Sequence, residues 1–497
     1  MMRKMISDNL FFSLLINTDK TTQTNCTYPV NDFRVIKNKV LNWAQRFDTF
    51  CFLDNHQYQI PPHSMECLLA AGIKRFISCS ASDGRNALEQ LQSFIDSRQA
   101  WFFGHLGYDL KNEIEKLNSS HRDDIQFPEL FFFEPEVLIR LSEKEMIIEA
   151  DKPEKIFSDV SDIPPQAGVS DTFASKPISI QNRISKQEYI SIIKKLKEHI
   201  LRGDCYEINF CQEFFAEKVT IDPVVVYKKL SAISPNPFSA LYRVNDKWLI
   251  CASPERFLKK NGNKILSQPI KGTSKRISDN EEKDKLSKEK LFNSSKDRSE
   301  NVMVVDLVRN DLAKVCKEGT VKVDELYGVY SFPQVHQMIS TVVGELKENI
   351  SFTEIIRATF PMGSMTGAPK KRVMELIELY EKTKRGIFSG AVGYISPTSP
   401  PYQNTGYRSA QHPPLHPSTS SGQAERGDEE SPNNEIAKGG EVDFDFNVVI
   451  RSILYNSSTK YLSFPAGSGI TFYSDPQKEW EECLLKAEAM KRVLSKT

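Results

Sequence analysis

The residues best suited to chemistry fall in a few short stretches. In Ser267-Gln268-Pro269-Ile270-Lys271-Gly272-Thr273 a lysine sits between an apolar neighbour and a glycine. Proline fixes its own φ, and Gly272 lets the backbone come close to a ligand. A desolvated lysine at such a place can shed its proton near neutral pH and act as a nucleophile. On spacing alone, a solvated lysine in a turn is the plainer reading. Asp297 and Glu300 stand three apart before an apolar run, and Glu479 and Glu482 stand three apart further on, with Lys486 four beyond. Spacings of three and four share one helix face. Two such faces opposed can hold one Mg²⁺, which takes one or two carboxylates plus waters and substrate oxygens. Each pair alone reads as well as a solvated helix face.

Other stretches suit an anion. Gly363-Ser364-Met365-Thr366-Gly367-Ala368-Pro369-Lys370 puts glycines and hydroxyls, Thr366 among them, ahead of a helix expected over 372–381. The order of a Walker loop is absent. Ala466-Gly467-Ser468-Gly469-Ile470 reads as a small-residue turn whose backbone N–H groups can meet a carboxylate. Arg451, at the end of an apolar run, offers a two-pronged donor to a carboxylate. Together these describe a site for a small, multiply anionic molecule with Mg²⁺ and a lysine nearby.

The elements that must position these groups alternate between strand and helix. Ser185 caps a helix over 185–201, with Glu188 three residues on and Gly203 as its stop. Strand-like alternation follows over 205–215, and again over 241–252 and 263–268. Residues 274–296 are dominated by charge and read as a mobile loop or a solvated helix. The proline-rich, polar stretch 397–440 reads as a disordered insertion that expands the turn of a hairpin. By the same signs 1–26 is a poorly ordered extension, 27–150 an N-terminal region, 151–180 a linker and 181–497 the domain that carries the chemistry. The 497 residues balance 65 Lys+Arg against 65 Asp+Glu, so no global field points to nucleic acid or an anionic membrane. Nine scattered cysteines without a CxxC pair suggest reduced thiols in a cytoplasm.

Taken together, Pro269-Ile270-Lys271-Gly272-Thr273, Glu300 followed by Asp306-Leu307-Val308-Arg309-Asn310-Asp311-Leu312, Thr366-Gly367-Ala368-Pro369-Lys370, Phe446-Asn447-Val448-Val449-Ile450-Arg451 and Ala466-Gly467-Ser468-Gly469 resemble the chorismate-utilising enzymes. The resemblance covers about residues 180–490 and, more weakly, 28–150. It implies an α+β, two-lobed fold of large, mostly antiparallel sheets with helices outside and the site in the cleft between the lobes. Lysine before Gly-Thr marks the members that make 4-amino-4-deoxychorismate; anthranilate-forming members have alanine there. The resemblance then implies Lys271 as the nucleophile toward C2 of chorismate and Mg²⁺ on Glu300 and Glu482, with Asp297 and Glu479 in support. It puts Tyr394, Arg451 and the Gly467-Ser468-Gly469 backbone on the enolpyruvyl carboxylate, and Gly272, Thr273, Thr366 and Lys486 in the substrate shell. Gln337 stands where many relatives carry the histidine that anthranilate formation needs for pyruvate elimination. Glu207 stands where water-using members have a lysine, a place from which it can manage protons. A separate glutamine amidotransferase is implied as the ammonia source. Anthranilate formation, or binding of chorismate without turnover, are the alternatives. The stretch Phe52-Leu53-Asp54-Asn55 departs from the family's tryptophan site, so feedback by tryptophan is not expected.

Overall fold

In Thr49–Asp54 every residue is buried. Phe50 and Phe52 enter one apolar cluster, while Cys51 and Leu53 enter another. A strand apolar on both sides of its pleat must be covered on both faces, and that requirement organises the molecule. The computed structural model describes residues 24–58, 66–80, 86–164, 178–277, 279–332, 335–398 and 442–495.

Two antiparallel sheets pack on each other. The first has twelve strands and runs, by position, Thr24–Pro29, Glu145–Ala150, Val137–Leu141, Cys67–Ala71, Thr49–Asp54, Phe238–Val244, Lys247–Ser253, Ser452–Asn456, Tyr461–Ile470, Glu207–Ala216 and Gly367–Ala368, with Gln181–Asn182 also on Glu207–Ala216. The second has ten strands, beginning Ile270–Lys275, Val335–Glu345, Lys264–Gln268, Arg256–Asn261, Val442–Val448, Ala391–Pro397 and Phe102–Leu106. Helices Phe33–Ala44, Pro153–Ser161, Lys186–Leu201, Pro223–Ile233 and Pro476–Ser495 cover the outer face of the first sheet. Ala87–Asp96, Ser295–Val315 and Phe352–Thr359 cover the second. Between the sheets, His105 Nδ1 meets Tyr242 Oη at 3.0 Å. The expected α+β fold, with helices outside, is the fold observed.

Several expectations need correction. Part of the extension expected over 1–26 is ordered: Thr24, Asn25 and Cys26 belong to a strand paired with Ala150, Glu149 and Ile148. Residues 1–23 lie outside the described residues. The linker expected over 151–180 contains the helix Pro153–Ser161, where Pro153 takes the first-turn position that needs no N–H donor. The single strand expected over 241–252 is a hairpin, Phe238–Val244 and Lys247–Ser253, turned at Asn245 with φ 54°; asparagine tolerates that left-handed conformation. Residues 27–150 and 181–497 divide the sequence but not space, because both sheets draw strands from both segments. The strands on either side of the expected insertion pair from Ala391–Val448 to Pro397–Val442, as a hairpin requires; 399–441 lies outside the described residues.

Candidate active site

The site forms where one end of each sheet comes together. Ile270–Lys275 ends the second sheet and carries Lys271; Glu207–Ala216 lies next to the end of the first and carries Glu207. Lys271 Nζ donates to Glu207 Oε1 at 2.6 Å, and the two side chains are 12 % and 3 % exposed. Burial opposes the charge on Lys271, but the Glu207, Glu300 and Glu255 carboxylates outweigh it and hold the ammonium well above its ordinary range. The neutral amine expected from desolvation is therefore not the resting form. The lysine is a buried ammonium that must pass on a proton before it can attack.

The backbone around the pair is shaped to admit it. Gly367–Ala368 pairs with Glu207–Ile208, and Asn209 N donates to Thr366 O at 2.7 Å. Thr366 is fully buried and its hydroxyl donates to Met362 O at 3.1 Å. This residue, expected to face an anion, instead holds the strand that bears Glu207. The helix beyond runs Lys370–Tyr380, and its N-cap is Pro369. The turn expected at 466–470 is the end of the long strand Tyr461–Ile470, with Gly467, Ser468 and Gly469 opposite Cys211, Phe210 and Asn209. A Cβ on Gly467 would meet Phe210 O at 1.9 Å, and a Cβ on Gly469 would lie 2.6 Å from Glu207 Oε1 and 2.8 Å from Lys271 Nζ. Close approach, not turn formation, is why glycine stands there. Gly469→Ala is therefore expected to part the Lys271–Glu207 pair. Its kcat should fall by about tenfold or more, with circular dichroism and Tm close to the parent's; an unchanged kcat would show that the pair has room to spare.

Carboxylates gather on the neighbouring helices. Asp297 and Glu300 lie in Ser295–Val315, and Glu479 and Glu482 in Pro476–Ser495. All four act on the Lys296 ammonium and raise it against burial; Lys296 Nζ is 3.8 Å from Glu300 Oε1. Burial lifts Glu300 to about 7, with the charges of Glu207 and Glu482 adding to it, and its Oε1 has no hydrogen-bond partner. Glu482 pairs with Lys486 at 2.8 Å. Burial would lift its carboxyl, but the Lys486, Lys296 and Lys271 charges win and hold it below its ordinary value. Lys486 Nζ also donates to Gly467 O at 3.0 Å. Glu479, 2 % exposed, accepts from Ser468 Oγ at 2.6 Å. Asp297 lies beneath Gly272, whose φ is +93° and whose Cβ would come within 3.0 Å of the Asp297 Cβ. Among the described residues no three His, Cys, Asp or Glu converge as a protein-only metal cage. A buried Glu300 oxygen that makes no hydrogen bond and a lysine ammonium standing among four carboxylates fit a cation held by few protein ligands, which is the habit of Mg²⁺.

The side expected to meet an anion centres on Arg451, at φ 50° between strands Val442–Val448 and Ser452–Asn456. An arginine offers only donors, so the buried Gln337 amide must face it with its oxygen. In that orientation Gln337 Oε1 accepts from Arg451 Nη2 at 2.9 Å and Nη1 at 3.2 Å. Burial pushes Arg451 down to about 10, and the charge of Glu255 pulls it back. Gln337 is neutral, so it fixes the guanidinium without cancelling its charge. Thr273 is exposed and lies opposite Gln337 in the strand register. Tyr394 is placed elsewhere: its ring packs 5.3 Å from Trp101 and 5.8 Å from Phe103, in the aromatic cluster of the second sheet rather than beside Lys271. The alternation of Ala391–Pro397 turns Tyr394 to that face.

One residue that sequence reasoning passed over is Glu255. It is 4 % exposed, and burial raises its carboxyl to about 7, with Ser364, Lys271 and Arg451 pulling the other way. The stretch Pro254-Glu255-Arg256-Phe257-Leu258 carries no chemical motif. The available signal was a single acid between two strand-like runs.

Fold and site together define the class: a family of chorismate binding enzymes matches residues 53–416 and 438–492, and the chain belongs to it. Within that family the chain is 40% identical over 216 residues to the aminodeoxychorismate synthase component 1 of Escherichia coli, covering 44% of this chain and 47% of that protein. It is 28% identical over 413 residues to the protein of that name from Bacillus subtilis, covering 80% and 77%. An anthranilate synthase component I-like protein of Synechocystis is 30% identical over 419 residues, covering 84% and 77%. Among solved structures, anthranilate synthase component I from Streptococcus pneumoniae superposes with a TM-score of 0.67 at 24% identity, covering 88% of this chain and 95% of that one. The menaquinone-specific isochorismate synthase of Escherichia coli superposes at 0.68 with 15% identity, covering 95% and 94%. These likenesses establish the fold. No helix among the described residues is long and apolar enough to cross a membrane.

Proposed function

We propose that the chain converts chorismate and ammonia to 4-amino-4-deoxychorismate, the precursor of 4-aminobenzoate and folate, through a covalent adduct on Lys271. The observation that carries this reading is the buried Lys271–Glu207 pair, 2.6 Å apart. Glu207 Oε1 already accepts the Lys271 proton in a hydrogen bond, and its Oε2 is buried without a partner. In this reading Glu207 takes that proton as Nζ bonds to C2 of the ring. The C4–O bond breaks as the ring double bonds shift, and the neutral Glu255 carboxyl gives its proton to the leaving hydroxyl. Ammonia then bonds to C4 and the C2–Nζ bond breaks; Glu207 hands its proton back to the freed amine, which restores the lysine ammonium. Splitting the displacement this way replaces one hard step with two easier ones.

Arg451, fixed by Gln337, and exposed Thr273 bind and orient a carboxylate. Lys486, tied to Gly467 O, positions the glycine strand. Glu300 and Glu482 would hold Mg²⁺ with Asp297 and Glu479 behind them. When bound, the ion supplies positive charge to anchor the ring carboxylate. Ammonia would come from a glutamine amidotransferase, as the name component 1 of the relatives suggests. Nine free thiols fit a reducing compartment such as the cytoplasm. The anthranilate reading is less well supported: His336 Nδ1 meets Ser331 Oγ at 2.8 Å and Nε2 meets Asp284 Oδ1 at 3.1 Å, so its ring is engaged elsewhere.

The deciding assay combines purified protein, chorismate, Mg²⁺ and ammonium, with products separated by chromatography. Aminodeoxychorismate is expected. Anthranilate would replace this reading with the alternative, and no turnover would leave a binder.

A further inference from the structure

Beside Glu255 lies a cavity of about 20 Å³, room for one water-sized molecule. Its polar lining includes Glu255, Ser364 and Asp311; Val308 and Leu312 are among its apolar wall. Ser364 is 6 % exposed; its hydroxyl faces the Glu255 carboxyl, which it pulls down, and has no other partner, while Asn209 Nδ2 holds its carbonyl at 3.1 Å. A buried hydroxyl whose one neighbour is a carboxyl keeps acceptor capacity that a small donor can use. Asp311 is already paired with Lys370 at 2.5 Å and Lys314 at 3.0 Å, so its charge does not call for a metal ion. What remains is a small chamber with the Glu255 carboxyl and the Ser364 hydroxyl on one side, Ser267 and Thr359 also on its lining, and otherwise apolar walls.

We propose that this cavity holds the ammonia consumed in the second half of the reaction, hydrogen-bonded to Glu255 and Ser364. The inference rests on the function proposed above. It gives Glu255 its second task. Having lost its proton to the leaving hydroxyl, the carboxylate accepts one from nitrogen as the N–C4 bond forms and the C2–Nζ bond breaks. Atoms and charge balance over the cycle, and no further reactant is required.

The test changes the chamber's volume in both directions at Val308, which takes no part in the chemistry. Initial rates are measured at saturating chorismate with ammonium or methylamine as nucleophile. Adduct formation without any amine is followed by the mass of the intact protein. Val308→Phe is expected to raise the KM for ammonium about tenfold or more, and Val308→Ala to improve the use of methylamine by a similar factor. Both should form the Lys271 adduct at the parent's rate. If Val308→Phe forms no adduct, Leu312→Ala takes its place beside Val308→Ala, with the same gain for methylamine expected. Unchanged selectivity between the two amines in the enlarged variants, with the adduct intact, overturns the ammonia site alone. Failure of the parent to form any adduct removes the underlying function and the cavity's role with it.

Discussion

Lys271→Met is expected to lower turnover with chorismate and ammonium by on the order of 10³-fold or more, because a thioether of similar length cannot form the adduct. The loss must be separated from a loss of structure. Glu207 is 2 % exposed and its cation partner would be gone. Leaving one member of a buried pair alone costs about 3–5 kcal/mol, or the carboxylate takes up a proton instead. The single variant should therefore melt lower than the parent. Lys271→Met/Glu207→Gln removes the unpaired charge, so its Tm should recover most of the deficit while turnover stays absent. Intact-protein mass after incubation with chorismate gives the complementary reading: a covalent increment in the parent and none in either variant. A methionine variant as fast as its parent would end the case for covalent catalysis.

Which residues gather at this candidate site was partly legible in the sequence. Lys271, Gly272, Glu300, Glu482, Arg451 and Lys486 could be singled out because each belongs to a short motif and the motifs together resemble one family; any one of them alone reads as well as ordinary surface. The fold was legible for a related reason: alternation over 205–215 and the Ser185 cap are local, and both are present in the structure as Glu207–Ala216 and a helix whose Ser185 side chain accepts from Glu188 N. The protonation of Lys271 was not legible. It depends on three carboxylates from three distant segments, and only the meeting of the two sheets brings Glu207, Glu255 and Glu300 to one amine. The glycines at 467 and 469 looked like a turn, because a sequence does not reveal that a neighbouring strand and a buried ion pair occupy the space a Cβ would need. Tyr394 was misplaced for a further reason. One strand has two faces, and composition does not say which of them meets the substrate.

Glu255→Gln tests the proton donor, the assignment that sequence alone could not reach. The carboxyl titrates at about 7, so the neutral donor dominates below that pH and falls tenfold per unit above it. In the parent, kcat/KM for chorismate should therefore decline on the alkaline side with an apparent pKa near 7. Glutamine keeps the shape but has no acidic proton. The variant should lose a factor of on the order of 10²–10⁴ in adduct formation, and the alkaline limb should flatten. Stability gives an independent reading with a definite sign. The folded pKa is raised from 4.5, so the stabilising contribution of the neutral carboxyl is whole below about 4.5 and is lost as pH climbs through about 7. Between those values the parent's Tm should drop relative to Glu255→Gln. Glu300 and Glu129 also titrate at about 7, and the difference between parent and variant isolates the share of Glu255. Should the alkaline limb persist unchanged in the glutamine variant, the leaving hydroxyl takes its proton from another group and Glu255 loses its part in the chemistry.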